Sequence, residues 1–576
     1  MTKITRKTDV MLEGRGMISL QPRDHMITGG EGSIYKKNNT VIKLYTDSDK
    51  MIRDGMDAKI ISLKRVEHPF IVTPKGMVKD AAGKPIGYYM PYVTGEPITR
   101  VFTNDYRART QFADDDAHIL VDHMRTVVQH VHSKQIVMVD ANEMNWLVDD
   151  HNNHAPEPRA IDVDAWAIDR WRASVIMPSI RDWHAKVFDE LSDWFAWGIV
   201  TFQVYTGIHP YKGRLSGYAQ HDLMRRMQDN ASVFHTDVRL NHAVRDFGRI
   251  PGALRQWYEE VFAKGKRMRP PSPFDVGKIV PTRGRIAHTQ ITTKGMLVFD
   301  KMYESASHIT HIFDGGVVLC ADSMLVDVVR GKKICTVTKK NVAVVVQCDG
   351  WFVAECENDT LVCRFVDLYT GHEEIVDTTI SAHNVMSMGE RMFVVTERGL
   401  TEIVLTRMKK SLLSMGNTWQ TLPYATQWFQ GVGVENVMGN MHVVAPFGDR
   451  ACATIRTKEL DGLVPIAGYG GMRFITIITF DAQGIYHKHE FHFDDAYRMY
   501  TVWSNVVDSA ELVITTLPKG VCVTIVEDGT LDIFVPSNGA HTKVSDGLIK
   551  TGTYLAHIDN TVIYIDDRTV WRVRMK

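Results

Sequence analysis

The chain divides into two stretches of different texture, predicting an α+β region up to about residue 285 and an all-β region beyond it. Three observations carry this. Helical periodicities alternate with short strands up to about residue 265. A glycine-rich turn and a group of strand-borne polar residues fall inside the same stretch. From about Lys294, short β-branched and aromatic strands recur between Gly, Asp and Asn turns.

At 576 residues the chain is too long for one hydrophobic core. It is 44% hydrophobic and 23% charged, with a formal net charge of -1. This balance argues against a dedicated nucleic-acid or membrane-surface binder, which needs a basic excess. No apolar run approaches the roughly 18 residues of a bilayer span, and MTKITRKTDV carries no apolar segment behind its basic residues. A cytoplasmic protein is expected. The seven cysteines all lie beyond residue 319 and none forms a C-x-x-C pair. Buried, reduced thiols are expected rather than disulfides or zinc.

Residues 1–19 read as a polar tail. In TGGEGSIYKKNNTVIKLY, Gly29, Gly30 and Gly32 free the backbone for a tight turn over phosphates. KKNNT then turns the chain into a strand bearing Lys43. Residues 48–66 read as a helix and Ile86–Met90 as a strand. A helix over 114–134 buries Leu120, Met124, Val127, Val128 and Val131; its His130 and His132 cannot share a face.

The stretch IVMVDANEMNWLVDDHNNHAPEPRAIDVDAW reads strand, loop, strand. Its apolar runs deliver Asp140, Asn145 and then Asp162 to strand ends. Phosphoryl transfer needs such groups: an acid to orient a nucleophile, and hard oxygen ligands for magnesium-bound phosphates. His151 and His154, in the intervening turn, read as solvated. Farther on, SDWFAWGIVTFQVYTG is apolar all round, which requires a central buried helix, with Ser192 as its N-cap and Gly207 as its stop. A last helix covers 253–264.

In this order the motifs resemble those of protein kinases, over residues 20–285, and most nearly the bacterial kinase-like domains bearing G-G-E-G-x-V-Y, D-x-N-x-x-N and I-D-x-D. The resemblance implies two lobes with ATP and Mg2+ between them. Gly29 and Gly32 match the second and third glycines of the phosphate loop, while Ile27 stands at the first. Lys43 matches the phosphate-holding lysine, Met90 the gatekeeper, and the backbone of Pro91 and Val93 the adenine-facing hinge. Asp140 matches the catalytic acid, and Asn145 and Asp162 the metal ligands. Asp57 stands nearest the helix glutamate that pairs with the lysine. Asp193 matches the helix acid that ties down the catalytic loop, and Arg269 the arginine that pairs with an acid at the end of the activation segment, here Asp182. Met138 and Val139 replace His-Arg before Asp140, and Asp164 replaces the glycine after Asp162. The segment from Asp162 to Asp182 is short, with Ser174 its one obvious hydroxyl for modification. Without that arginine, regulation by an activation-loop phosphate is not expected.

Beyond Lys294, seven related phrases begin at Asp314, Asp349, Gly389, Gly439, Gly470, Glu511 and Asp559, spaced about 41 residues apart. This period predicts a β-propeller of about seven blades over 286–576, with six or eight blades or a pair of β-sandwiches as the alternatives, the strand Met296–Phe299 completing the blade at the C-terminus. His487 and His489 share a strand face near His492, a conceivable but weak metal set. By fold analogy the propeller recruits a partner or substrate.

The expectation is therefore a cytoplasmic Ser/Thr protein kinase using ATP and Mg2+, with a propeller for an unknown protein partner and no role for nucleic acid or membrane. The alternative is a pseudokinase scaffold, favoured by the departures above. A small-molecule phosphotransferase is weaker, given Asp193, HPYKG and Arg269.

Overall fold

The computed structural model describes residues 4, 6–149, 155–171, 173, 176–275, 297–339, 341–347, 349–408, 410–448, 451–517, 520–535, 540–545, 549 and 553–575. His151, His154 and Ser174 lie outside the described residues, as do Met296 and Cys348.

Residues 8–20 are not a tail. They form a hairpin of β1 (Thr8–Leu12) and β2 (Gly16–Leu20). Val10, Leu12 and Leu20 face the core, and Gly14 and Gly16 take positive φ around the turn. With charged residues between so few apolar ones, the alternation is hard to read in the sequence. β3 (His25–Thr28), β4 (Gly32–Lys37), β5 (Thr40–Tyr45), β6 (Gly76–Lys79) and β7 (Pro85–Pro91) complete a seven-stranded sheet of order β2-β1-β6-β7-β5-β4-β3. β5 runs antiparallel between β4 and β7 and is buried along its length, which carries Lys43 into the interior.

The helix expected over 48–66 is broken. α1 (Ser48–Arg53) and α2 (Met56–Leu63) meet at Gly55, whose φ of 75° no helix interior accepts, and a 3-10 turn follows over Lys64–Val66. Then come β8 (Glu96–Pro97), α3 (Ile98–Val101), α4 (Asn104–Thr110) and α5 (Asp114–Ser133), with β9 (Trp146–Asp149) pairing to β8 and to β10 (Glu157–Ala160). α5 buries all five apolar residues predicted for it.

α6 (Glu190–Thr206) is buried continuously from Ser192 to Thr206. Its N-cap is Asp189 rather than Ser192. The Asp189 carboxylate accepts the N–H groups of Leu191 and Ser192, each at 2.9 Å, and Ser192 Oγ accepts the Asp189 N–H in return. Gly207 ends the helix at φ 77°. α7 (Leu223–Gln228) and α8 (Gly252–Phe262) complete this region. α8 crosses α6 at Gly198, where a Cβ would stand 2.9 Å from the Trp257 ring. Among the described residues no helix is long and apolar enough to cross a membrane.

Among the described residues the C-terminal region is all β, with seven antiparallel four-stranded sheets. Six are built from consecutive strands. The seventh joins Leu297–Glu304 to the last three strands, in register from Leu297 opposite Met575 to Glu304 opposite Thr569. Neighbouring sheets share apolar clusters: Val345 and Phe352 pack with Met392 and Ile403, and Val432 and Val443 with Ile475 and Phe491. Cys320, Cys335, Cys356, Cys363 and Cys522 are buried free thiols and Cys452 a half-buried one.

The two regions pack together. Met144 and Met177 join the cluster of Ile466, Ile478, Phe480 and Tyr486, and the Lys212 ammonium lies 4.4 Å from the Tyr486 ring. Gly484, at φ 81°, approaches Ser179 so closely that a Cβ would overlap its hydroxyl. The His242 N–H donates to the Glu527 carbonyl at 2.9 Å, and Gln220 Nε2 to the Glu527 carboxylate at 3.2 Å.

Candidate functional site

The β4–β5 hairpin and β7 place Lys43 beside Tyr88, its register partner. The Lys43 Nζ donates to Asp162 Oδ1 at 2.7 Å and to both oxygens of Asp164, at 3.1 and 2.9 Å. Glu31 stands 3.9 Å away. Tyr88 OH donates to Asp164 Oδ1 at 2.9 Å, and Lys59 Nζ, from α2, to the Asp164 carbonyl at 2.5 Å. Asp57 is not among the carboxylates within ion-pair distance of Lys43; the described ones are Glu31, Asp162 and Asp164. The break at Gly55 resets the face that α2 presents, and it buries Lys59 instead. Asp164 supplies the buried carboxylate beside Lys43.

The two aspartates differ. Burial works against the charge of Asp164, but Lys43 overcomes it and, with the Tyr88 hydroxyl, holds its pKa below the ordinary carboxylate value. Asp162 is the more exposed, with its backbone in the left-handed region at φ 57°. Its pKa is raised, first by desolvation and then, against the pull of Lys43, by Asp164. Two carboxylates on one ammonium leave one that an incoming cation can take.

Asp140 sits on the neighbouring loop. Its Oδ1 accepts the Met177 N–H at 2.8 Å, and burial raises its pKa. Asn145 Nδ2 donates to the Asp140 carbonyl at 2.7 Å, and the Ile161 N–H to the Asn145 carbonyl at 3.0 Å, which ties the Asp140 loop to the strand leading into Asp162. Asp193, buried on α6, accepts the Met138 N–H at 2.7 Å, the Val139 N–H at 2.8 Å and a hydrogen bond with His132 Nε2 at 2.9 Å. Val139 is β-branched yet has φ 62°, a conformation that costs about 1–2 kcal/mol. The Asp193 hydrogen bonds hold it there. Asp193 thus ties down the loop before Asp140.

The glycines behave differently from the expectation. None of Gly29, Gly30 and Gly32 takes positive φ. The Gly29 N–H closes the turn onto the Gly32 carbonyl at 2.9 Å. Gly32 is required by the sheet, since a Cβ would stand 2.4 Å from the Leu44 carbonyl oxygen, whereas space beside Gly29 and Gly30 is open. On β7, Met90 pairs opposite Val41 and Pro91 opposite Thr40. The Tyr92 N–H is spent on the Asn39 carbonyl at 3.0 Å, and Val93 follows, half-buried.

The partner of Asp182 is Arg267 and not Arg269. Arg267 binds both its oxygens, Nε at 2.5 Å and Nη2 at 2.7 Å, and lies 4.4 Å from the Phe195 ring. Arg269 reaches outward to Glu190 at 2.5 Å. In KRMRPP both arginines fit by spacing, and only the aromatic shelf of α6 chooses between them.

The histidines of the strand Tyr486–Phe493 are separately engaged: His487 with Asp481 at 2.7 Å, His489 with Thr479 and Ser504, and His492 against Phe534. Among the described residues no three His, Cys, Asp or Glu side chains gather as a metal site. Around Lys43 the oxygen donors suit magnesium in kind: the Asp162 carboxylate, and an Asn145 carboxamide whose N–H is already spent.

Asp164, Tyr88, Lys59 and His132 also belong to the site, although local pattern assigns none of them a place there. Asp164 carried a signal, since D-x-D delivers two carboxylates from one short segment. The others were ordinary core positions until folding brought them together. No protein-family model matches this chain, and no curated protein matches it in sequence.

Proposed function

We propose that the chain is an ATP- and magnesium-dependent protein kinase of the serine/threonine type, joined to a closed seven-bladed β-propeller that presents a partner or substrate. One observation carries the reading: Lys43 and Asp162, 119 residues apart in the chain, meet at 2.7 Å beside the loop of Asp140 and Asn145. Lys43 would hold phosphate oxygens, with Gly29, Gly30 and Gly32 bordering them. Magnesium, bound through Asp162 and Asn145, supplies charge neutralisation of the phosphates. Asp164 keeps its grip on Lys43 when Asp162 is given up, which is the part a helix glutamate would otherwise play. Asp140 orients the substrate hydroxyl and accepts its proton, aided by the upward shift of its pKa. Adenine would lie along Met90, Pro91 and Val93.

The propeller reading rests on seven sheets of four strands, on the pairing of Leu297–Glu304 with Thr569–Met575, and on shared clusters that link the last sheet to its neighbours on both sides. A reducing, cytoplasmic setting fits the free thiols.

The scaffold reading keeps one observation in its favour. The Met177 N–H occupies Asp140 Oδ1, and the C-terminal region presses on Met177 and Ser179. A decisive experiment is incubation of the full chain with radiolabelled ATP and magnesium, alone and with cell lysate, beside Asp140→Asn. Label transferred by wild type and lost in the variant supports the kinase. Equal labelling, or none together with no magnesium-dependent thermal stabilisation by ATP, supports the scaffold.

A further inference from the structure

A cavity of about 530 Å3 lies between the α3–α4 segment and the C-terminal sheets, inside the ~300–1,000 Å3 range of small-molecule sites. An edge strand from each of the seven sheets contributes to its wall, and the apolar part includes Phe313, Phe429, Tyr469 and Tyr554. Its lining begins at Gly95, two residues beyond the Met90–Val93 stretch, and includes none of the residues assigned to the Lys43 site.

The charges around it are unequal in their partners. Arg109 pairs with Glu96 at 3.3 Å, Asp314 with His557 at 3.2 Å, and Glu511 accepts the Asn104 N–H. Asp105 is exposed. Arg100 is the exception. It lines the cavity half-buried, its guanidinium 4.6 Å from the Phe429 ring, with no carboxylate within 4 Å among the described residues. Burial pulls its pKa down, opposed from farther off by Glu96 and Asp105. A half-buried cation with no carboxylate in contact is incompletely compensated, and an anion delivered into the cavity would supply that contact.

We propose that this cavity is a binding site for a small aryl anion, with Arg100 as the counter-charge and the Phe429, Tyr469 and Tyr554 rings as the wall for its aromatic body. A guanidinium held beside Phe429 offers N–H donors suited to a carboxylate, sulfonate or phosphate oxygen. The site stands whether or not the Lys43 centre transfers phosphate, because no residue is shared.

The test is fluorescence titration of the full chain with 8-anilinonaphthalene-1-sulfonate, beside the uncharged N-phenyl-1-naphthylamine, which has the same aromatic body. Saturable binding of the sulfonate is expected, at least about tenfold tighter than the neutral dye. Arg100→Met should weaken the sulfonate about tenfold and leave the neutral dye unchanged, while Arg100→Lys restores most of the loss. Equal affinity of the two dyes for wild type, or an unchanged sulfonate affinity in a folded Arg100→Met, would overturn the proposal. If Arg100→Met does not fold, the wild-type comparison decides alone.

Discussion

Glu355, in the C-terminal sheets, and Asp193, on α6, are both wholly buried acids that accept two backbone N–H groups. Glu355 serves Thr338 and Lys339, 17 and 16 residues away, at 2.5 and 2.9 Å. Asp193 serves Met138 and Val139, 55 and 54 residues away, and His132 beyond them. Other acids divide in the same way. Asp327 caps its own turn at Val329 and Arg330, whereas Asp164 reaches Lys43 across 121 residues. A short-range buried acid finishes a turn, and any copy of the turn can carry one. A long-range one holds together segments that would otherwise drift apart, as Asp193 and Asp164 do around Lys43 and Asp140.

The sharpest test of this contrast is chemical. Lys43→Met and Asp162→Asn should each abolish phosphate incorporation from labelled ATP, and Asp140→Asn should cut it by about 10²–10⁴-fold. The same assay on Glu355→Gln should read as wild type, and a comparable loss there would erase the distinction.

Stability comes next. Asp193→Ala leaves His132 and two N–H groups buried without their acceptor, and urea unfolding should register a loss of about 3–5 kcal/mol. Glu355→Ala should cost about 1–3 kcal/mol, because Arg364, which pairs with Glu355 at 2.8 Å, keeps Glu373 at 3.4 Å. Equal losses would mean that range in the chain has no bearing on what a buried acid holds.

A smaller effect belongs to the seam between the regions. Burial raises Glu511 from the ordinary glutamate value to about 7, although the Asn104 N–H and Arg245 pull the other way. The folded state then binds more protons than the unfolded state between about pH 4.5 and pH 7. Its contribution is fully present below the unfolded pKa and is lost as pH rises through the folded one. Glu511→Gln should flatten the fall in Tm between pH 5 and pH 8, measured by scanning calorimetry. A slope unchanged from wild type would place the titration elsewhere.

The least change is expected from Arg269→Ala, within about 1 kcal/mol, since its pair with Glu190 lies at the surface. A loss as large as that of Arg267→Ala would return to Arg269 the place beside Asp182.

Much of this molecule was legible in order and type. Periodicity marked α5, α6 and α8; the turn-bounded repeats marked the β-rich half; and the expected strand near residue 297 does pair with the end of the chain. The same reading brought Lys43, Asp140, Asn145 and Asp162 to notice, because their residue types and spacing are local properties. It failed at Asp57, Ser192 and Arg269. At Ser192 and Arg269 a residue of equally suitable chemistry lay within a few positions, and local pattern does not rank them; at Asp57 the carboxylate on Lys43 comes instead from Asp164, far along the chain.

What the sequence determined by itself was which elements form and which polar groups sit at their ends, since backbone propensity, capping and alternation act over a few residues. Only the tertiary structure decided partners: Asp164 for Lys43, Arg267 for Asp182, and the C-terminal sheets for Met177. Those choices depend on which buried charges find a donor or acceptor within about 3 Å once the core has closed, and that distance is set by packing between segments far apart in the chain.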